Sequence, residues 1–259
     1  MAEVITSRGN PRVKWARSVR DGRVAGMLWV EGGKLLEEAL LSGWQPEIVF
    51  WVDGAPDPRE SSLLARHVGG AGLVLRITEQ VMQGMADSVA AQPWAAVLRR
   101  PQAQPLPFSA ERLLILDRIQ DPGNLGSLLR SAQAAGVQGA LLLKGCADPY
   151  SPKALRGSMG AAFRLPMRLD LQWSQALSCL PEGMRTLVAC ADGACFHDQL
   201  DWPQRWALVL GNEGRGVDPA IASQCDRRVA VAMQGGVESL NVAAAGAVLM
   251  FEAARRRRV

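Results

Sequence analysis

Histidine is almost missing from this chain: His67 and His197 are the only two among 259 residues. Two imidazoles leave little room for histidine-based proton transfer or for a histidine metal site. Cysteine is sparse as well. Cys146, Cys179, Cys190, Cys195 and Cys225 are odd in number and form no C-x-x-C pair. That argues against a disulfide framework or a zinc site and fits a reducing compartment. Cys195-Phe196-His197 offers two ligands but lacks the further two that a structural metal needs, so no metal is expected. No apolar run approaches the ~20 residues that cross a bilayer. The opening stretch, MAEVITSRGNPRVKWARS, lacks the apolar core of a signal peptide. A cytoplasmic protein without membrane contact is the expectation. A Walker A loop, a G-x-G-x-x-G fingerprint and a solenoid repeat are also missing from the sequence.

What is present is an ordinary globular balance, 48% hydrophobic and 21% charged. The length suffices for one large or two modest domains with real cores. A net charge of +4 mildly favours an anionic partner such as nucleic acid.

The first hundred residues alternate strand and helix patterns, which predicts an α/β domain. Strands are expected at Met27–Val30, Glu47–Val52, Leu73–Ile77 and Trp94–Arg99. Helices are expected after Pro11 and at Gly32–Ser42, Ser61–Val68 and Glu79–Met85. Ahead of the first strand lies a basic and amide-rich cluster: Arg8, Asn10, Arg12, Lys14, Arg17 and Arg20. Such side chains suit phosphate contacts, although a solvated helix face would look the same. Trp15, among them, reads more simply as core. Three prolines at positions 101, 105 and 107 then mark a semi-rigid linker. The expected boundaries are a domain at 1–100, a linker at 101–111 and a second domain at 112–259.

The second half restarts the alternation as a parallel-sheet pattern with crossover helices. Strands are expected at Leu113–Leu116, Ala140–Leu143, Thr186–Ala189, Ala207–Leu210 and Arg228–Ala232. Helices are expected at Leu125–Ala135, Pro152–Met159, Ser174–Leu180 and Val242–Arg255. The closing Arg255–Arg258 run favours the helix dipole, with a phosphate contact as the alternative.

Three of these strands empty into polar loops. After Leu116 comes DRIQDPGNLGSLLRSAQAAG, where Asp121 before Pro122 suits a helix cap. Asn124 and Arg130 follow on the helix, where either could be an ordinary cap or an exposed cation. After Leu210 comes GNEGRG, three glycines around Glu213; glycines let backbone approach a ligand closely or turn tightly. After Val231 comes AMQGGVESLNV, with Ser239 or Asn241 able to cap a last helix of small residues. Ligands of open α/β sheets bind at such carboxyl ends of strands.

DPGNLGSLLRSAQAAG, LGNEGRGV and VESLNVAAAGAVLMFEA together resemble the three motifs of the SpoU (TrmH-like) RNA 2′-O-ribose methyltransferases of the SPOUT superfamily. PKALRGSMGAAFRLP is similar to the stretch linking the first two. The likeness covers about Leu113 to Arg255. The amino-terminal SRGNPRVK…EGGKLLEEAL resembles, less specifically, the L30e-like substrate-binding domain of many members.

The resemblance implies a parallel-sheet α/β catalytic domain ending in a trefoil knot, against the usual rule of unknotted chains. It implies S-adenosylmethionine as methyl donor, surrounded by backbone at Ala189, Gly211, Val231 and Leu240, and a homodimer. It implies Asn124, Arg130, Glu213, Ser239 and Asn241 as the catalytic set. Arg8, Asn10, Arg12 and Lys14 are the expected RNA contacts. The family arginine matching Arg130 is credited with activating the 2′-hydroxyl. A guanidinium stays protonated, with a pKa above ~12, so stabilising developing negative charge suits it better. Many members carry proline where this chain has Ala232. A ribose 2′-hydroxyl means RNA, and a separate basic domain points to ribosomal rather than transfer RNA. Competing expectations are a non-catalytic RNA-binding module, a base methyltransferase using Cys190, and a nucleotide-dependent oxidoreductase.

Overall fold

The structure is a computed structural model that describes residues 3–56, 73–100, 106–107, 109–191, 195–235 and 239–256. The expected helix at 61–68, most of the proline linker, and Arg257 and Arg258 lie outside the described residues. The chain divides into two compact units, Met1–Gln102 with Tyr150–Arg164, and Ala103–Pro149 with Leu165–Val259.

The first unit opens with helix α1 (Pro11–Arg20), capped by the Asn10 side chain, which accepts from Arg12 N. Its buried stripe, Val13, Ala16 and Val19, repeats at helical spacing. Strand β1 (Met27–Glu31), helix α2 (Gly33–Leu41), strands β2 (Pro46–Val52) and β3 (Leu73–Ile77), helix α3 (Glu79–Met85) and strand β4 (Trp94–Arg99) follow. The sheet order is β1-β4-β2-β3. β4 is antiparallel to both neighbours, and β2 and β3 are parallel. One face of this sheet packs on α1 and α3 through Trp29, Phe50, Val97, Val81 and Met85.

Strand β5 (Arg112–Asp117), helix α4 (Pro122–Ala134) and strand β6 (Gly139–Leu143) begin the second unit. The chain then contributes helices α5 (Pro152–Ser158) and α6 (Ala161–Arg164) to the first unit. This departs from the expected boundaries, which ran 112–259 as one stretch. The packing explains it. Trp44 is buried with its ring centroid 5.4 Å from Tyr150 and 5.0 Å from Phe163, and its Nε1 donates to Phe163 O at 3.1 Å. Arg156 pairs with Asp87 at 2.8 Å, and Arg164 pairs with Glu38.

The second unit resumes with β7 (Met167–Leu171), α7 (Trp173–Ser178), β8 (Arg185–Ala189), β9 (Cys195–Phe196), β10 (Trp206–Gly211), α8 (Pro219–Ala222), β11 (Arg227–Ala230) and α9 (Val242–Arg256). Its seven strands are ordered β7-β6-β5-β10-β8-β11-β9, and every pairing is parallel. The expected parallel-sheet α/β architecture is therefore the one observed. β5, β6 and β10 are apolar without alternation because the sheet is covered on both faces. β11 ends at Ala230, two residues short of the expected strand, and leaves Val231 and Ala232 in a loop. Helix α9 packs against α4, and Gly246 permits the close approach: a Cβ there would lie 2.6 Å from Leu128 Cδ2.

Candidate active site

Strands β5, β10 and β11 are separated in sequence but their carboxyl ends open on one side of the parallel sheet, as parallel pairing requires. The first loop runs into α4, whose N-cap is Asp121; its carboxylate accepts from Asn124 N at 2.8 Å. That frees the Asn124 side chain, which is not a cap. Its Nδ2 donates to Glu213 Oε1 at 3.1 Å, and its Oδ1 accepts from Asn241 Nδ2 at 2.9 Å. Asn241 in turn caps α9, accepting from Ala243 N at 2.9 Å. One residue from each polar segment thus joins a continuous hydrogen-bonded chain, Asn241–Asn124–Glu213.

The glycine loop after β10 is folded by Asn212, which the sequence reading did not single out. Its Oδ1 accepts from Gly214 N at 3.0 Å and Arg215 N at 3.1 Å, an Asx-type turn. Gly216 N closes the neck on Asn212 O at 2.9 Å. The closure leaves no room for a side chain at Gly211, where a Cβ would fall 2.1 Å from Val217 N. The Asn within a Gly-rich turn was the available sequence signal for this role.

Beside this loop lies a cavity of about 520 Å³. Ala189, Gly211, Val231 and Leu240 all line it, and so do Glu213 and Ser239. Val188, Leu210, Val229 and Leu249 form an apolar part of its wall, and Asn212, Arg215 and Arg228 also reach it. The volume falls in the range of small-molecule sites, and the mix of apolar wall and main-chain groups suits a nucleoside carrying an amino-acid tail. S-adenosylmethionine therefore fits the residues present.

Arg130 stands apart from the hydrogen-bonded chain. It is exposed on α4, six residues after Asn124, so the two side chains leave the helix in different directions. Asn124 does not orient it within this chain. Cys190 lines the cavity, but its Sγ lies 3.8 and 4.0 Å from the carbonyls of Val188 and Val229.

The proposed RNA contacts of the first unit divide. The Arg8 guanidinium donates twice to Gln80 O, at 3.1 and 3.0 Å, and Asn10 is engaged as a cap. Arg12 and Lys14 are exposed on α1.

Comparison with known proteins adds independent findings. The model of the SpoU rRNA methylase family matches residues 111–251. The 23S rRNA (guanosine(2553)-2′-O)-methyltransferase RlmP of Bacillus subtilis is 30% identical over 95% of this chain and 97% of its own. The 23S rRNA (uridine(2479)-2′-O)-methyltransferase of Streptomyces viridochromogenes is 31% identical over 99% of this chain and 93% of its own. The AdoMet-bound rRNA methyltransferase of Sinorhizobium meliloti superposes with a TM-score of 0.85 at 27% identity, covering 98% of each chain.

Proposed function

The chain belongs to the SpoU rRNA methylase family, and from that premise we propose that it methylates a ribose 2′-hydroxyl of ribosomal RNA. The observation that carries the reading is the hydrogen-bonded chain Asn241–Asn124–Glu213 at the edge of the cavity lined by Ala189, Gly211, Val231 and Leu240. Its members come from three segments distant in sequence, and each supplies a polar side chain to the same cavity edge. The non-catalytic alternative would not require them.

S-adenosylmethionine supplies a methyl group on a positively charged sulfonium. The glycine loop and Leu240 hold the donor by backbone and apolar wall. Glu213, fixed by Asn124, faces the same cavity with negative charge, which complements a sulfonium. Bound there, the donor would give its methyl carbon to the ribose 2′-oxygen and leave as a neutral thioether, and the hydroxyl proton would pass to solvent. Arg130 stabilises the negative charge that develops on that oxygen. Ser239 positions the ribose at the cavity wall. Fixing two reactants in one geometry is worth up to ~10 kcal/mol of barrier.

Two finer features belong to the same reading. The amino-terminal unit is an L30e-like RNA-binding module; its mixed four-stranded sheet and the exposed Arg12 and Lys14 support this. The carboxyl-terminal segment closes a trefoil knot around the donor, and the protein is a homodimer. The exposed apolar face of α9, with Phe251 49% accessible and Val248 37%, supports the dimer.

The test is transfer of labelled methyl from S-adenosylmethionine to total RNA from cells lacking this protein, followed by sizing and digestion to nucleosides. Label in a 2′-O-methyl nucleoside of large ribosomal RNA is expected. Label confined to small RNA would move the target to transfer RNA, and no transfer with donor binding intact would return the non-catalytic module.

A further inference from the structure

Strand β5 ends in a buried carboxylate that its apolar run does not need. Asp117 is 3% exposed, and a charge so placed is costly unless fully bonded. It accepts from Arg118 Nε at 3.1 Å and Nη2 at 3.0 Å, and from Asp218 N at 2.9 Å. The third guanidinium nitrogen, Nη1, lies 3.4 Å from Asp218 Oδ2. The Arg118 carbonyl accepts from Asn212 Nδ2 at 3.1 Å. To make these contacts Arg118 takes φ 54°, a left-handed conformation unfavourable for a residue with a side chain. Gly145 leaves space for it, since a Cβ there would sit 3.1 Å from Arg118 Cγ.

These contacts grip the glycine loop at both ends. Its first residue, Asn212, hangs from the Arg118 carbonyl; its last, Asp218, is held through its amide by Asp117 and through its carboxylate by Arg118. None of Asp117, Arg118 and Asp218 lines the cavity. We infer that the Asp117–Arg118 pair is a positioning clip that fixes the spacing between Asn212 and Asp218 and so shapes the donor-binding loop. The inference rests on the donor site proposed above. The clip needs arginine, because a planar fork spans two carboxylates at once and a lysine ammonium does not.

The test compares Arg118→Lys, Arg118→Gly and Asp218→Asn in the full chain, by calorimetric titration with S-adenosylmethionine and by methyl-transfer kinetics. The first two variants are expected to bind the donor at least ~10-fold more weakly, the size of a lost charge-assisted contact. The KM for the donor should rise accordingly, while kcat at saturating donor stays within about twofold, since no reacting group is removed. Arg118→Gly is the decisive variant. It relieves the left-handed backbone, so wild-type affinity there would mean that only the conformation matters and would overturn the clip. Asp218→Asn keeps the hydrogen bond from the backbone amide at 218 to Asp117 and removes only the charge facing Arg118; it is expected to be intermediate, and serves if the other two fail to fold. Trypsin cleavage after exposed Arg215 provides a second readout, expected to be faster in every variant. Unchanged cleavage also overturns the proposal. A wild-type protein that fails to bind the donor sinks the functional reading instead, and the cleavage rates still decide the clip.

Discussion

Asn124 shows how a side chain acquires a role once a neighbour relieves it of another. Asp121 caps the helix, so the Asn124 amide is free to donate to Glu213 and accept from Asn241. Asn124→Asp replaces that donor with a carboxylate 3.1 Å from Glu213. Two carboxylates at that distance cannot both stay ionised, and one pKa rises. Below the raised value a shared proton restores a donor; above it the pair repels. Methyl transfer relative to wild type is therefore expected to improve as the pH falls, and a pH-independent ratio would contradict this geometry. Arg130→Ala is expected to keep donor binding while lowering transfer by about 100-fold or more, as loss of an oxyanion stabiliser does; turnover near wild type would remove Arg130 from the chemistry. The residue types of the site were legible in the sequence, because polar groups at three strand ends are conspicuous. Their pairing was not, since nothing local tells Asn124 that its partners lie at 213 and 241. Arg8 is a further case of unforeseen pairing: nothing local tells it that its guanidinium donates to Gln80 O, 72 residues on.

Among the elements, the glycine loop after β10 has the least tolerance. Gly211→Ala forces a Cβ to 2.1 Å from Val217 N, so the loop neck must open; donor binding is expected to be lost while the buried strands still fold, as calorimetry and circular dichroism together would report. Strand β1 supplies a second dependence. Burial pushes the Glu31 carboxyl up, but bonds from Ser88 Oγ and the amides of Asp87, Gln92 and Ser88 outweigh it and hold it below the usual range. A depressed folded-state pKa stabilises above the unfolded value and loses that contribution as the pH drops through the folded one. Glu31→Gln is accordingly expected to cost about 1–3 kcal/mol at neutral pH and progressively less in acid, read from melting temperatures across pH. The continuous apolar strands and capped helices were legible from pattern alone. β7 was not among the expected strands, although Met167, Leu169 and Leu171 alternate with Arg168 and Asp170 in the period-2 pattern of a half-buried edge strand. β9, only two residues long, gives no period to read.

For the molecule as a whole, the basic face of α1 and the apolar face of α9 make separate predictions. Neutralising Arg12 and Lys14 should weaken binding to ribosomal RNA and flatten its salt dependence by roughly one to two units of slope, one per phosphate contact. An unchanged slope would take α1 off the RNA. Phe251→Glu places a charge on the exposed face of α9, and light scattering is expected to report dimers for the wild type and monomers for the variant; equal masses would take α9 out of any interface. The adherence of Tyr150–Arg164 to the first unit was not legible in the sequence, because it depends on Trp44 meeting Tyr150 and Phe163 more than a hundred residues later. That arrangement has a consequence during synthesis. When the first hundred residues have left the ribosome, Trp44 still lacks its cover. Some 60 further codons must be read before Phe163 emerges, a wait of roughly 3–12 s at ~5–20 residues per second. Through that interval the nascent chain carries an uncovered tryptophan, an apolar side chain that a chaperone can hold until Phe163 arrives.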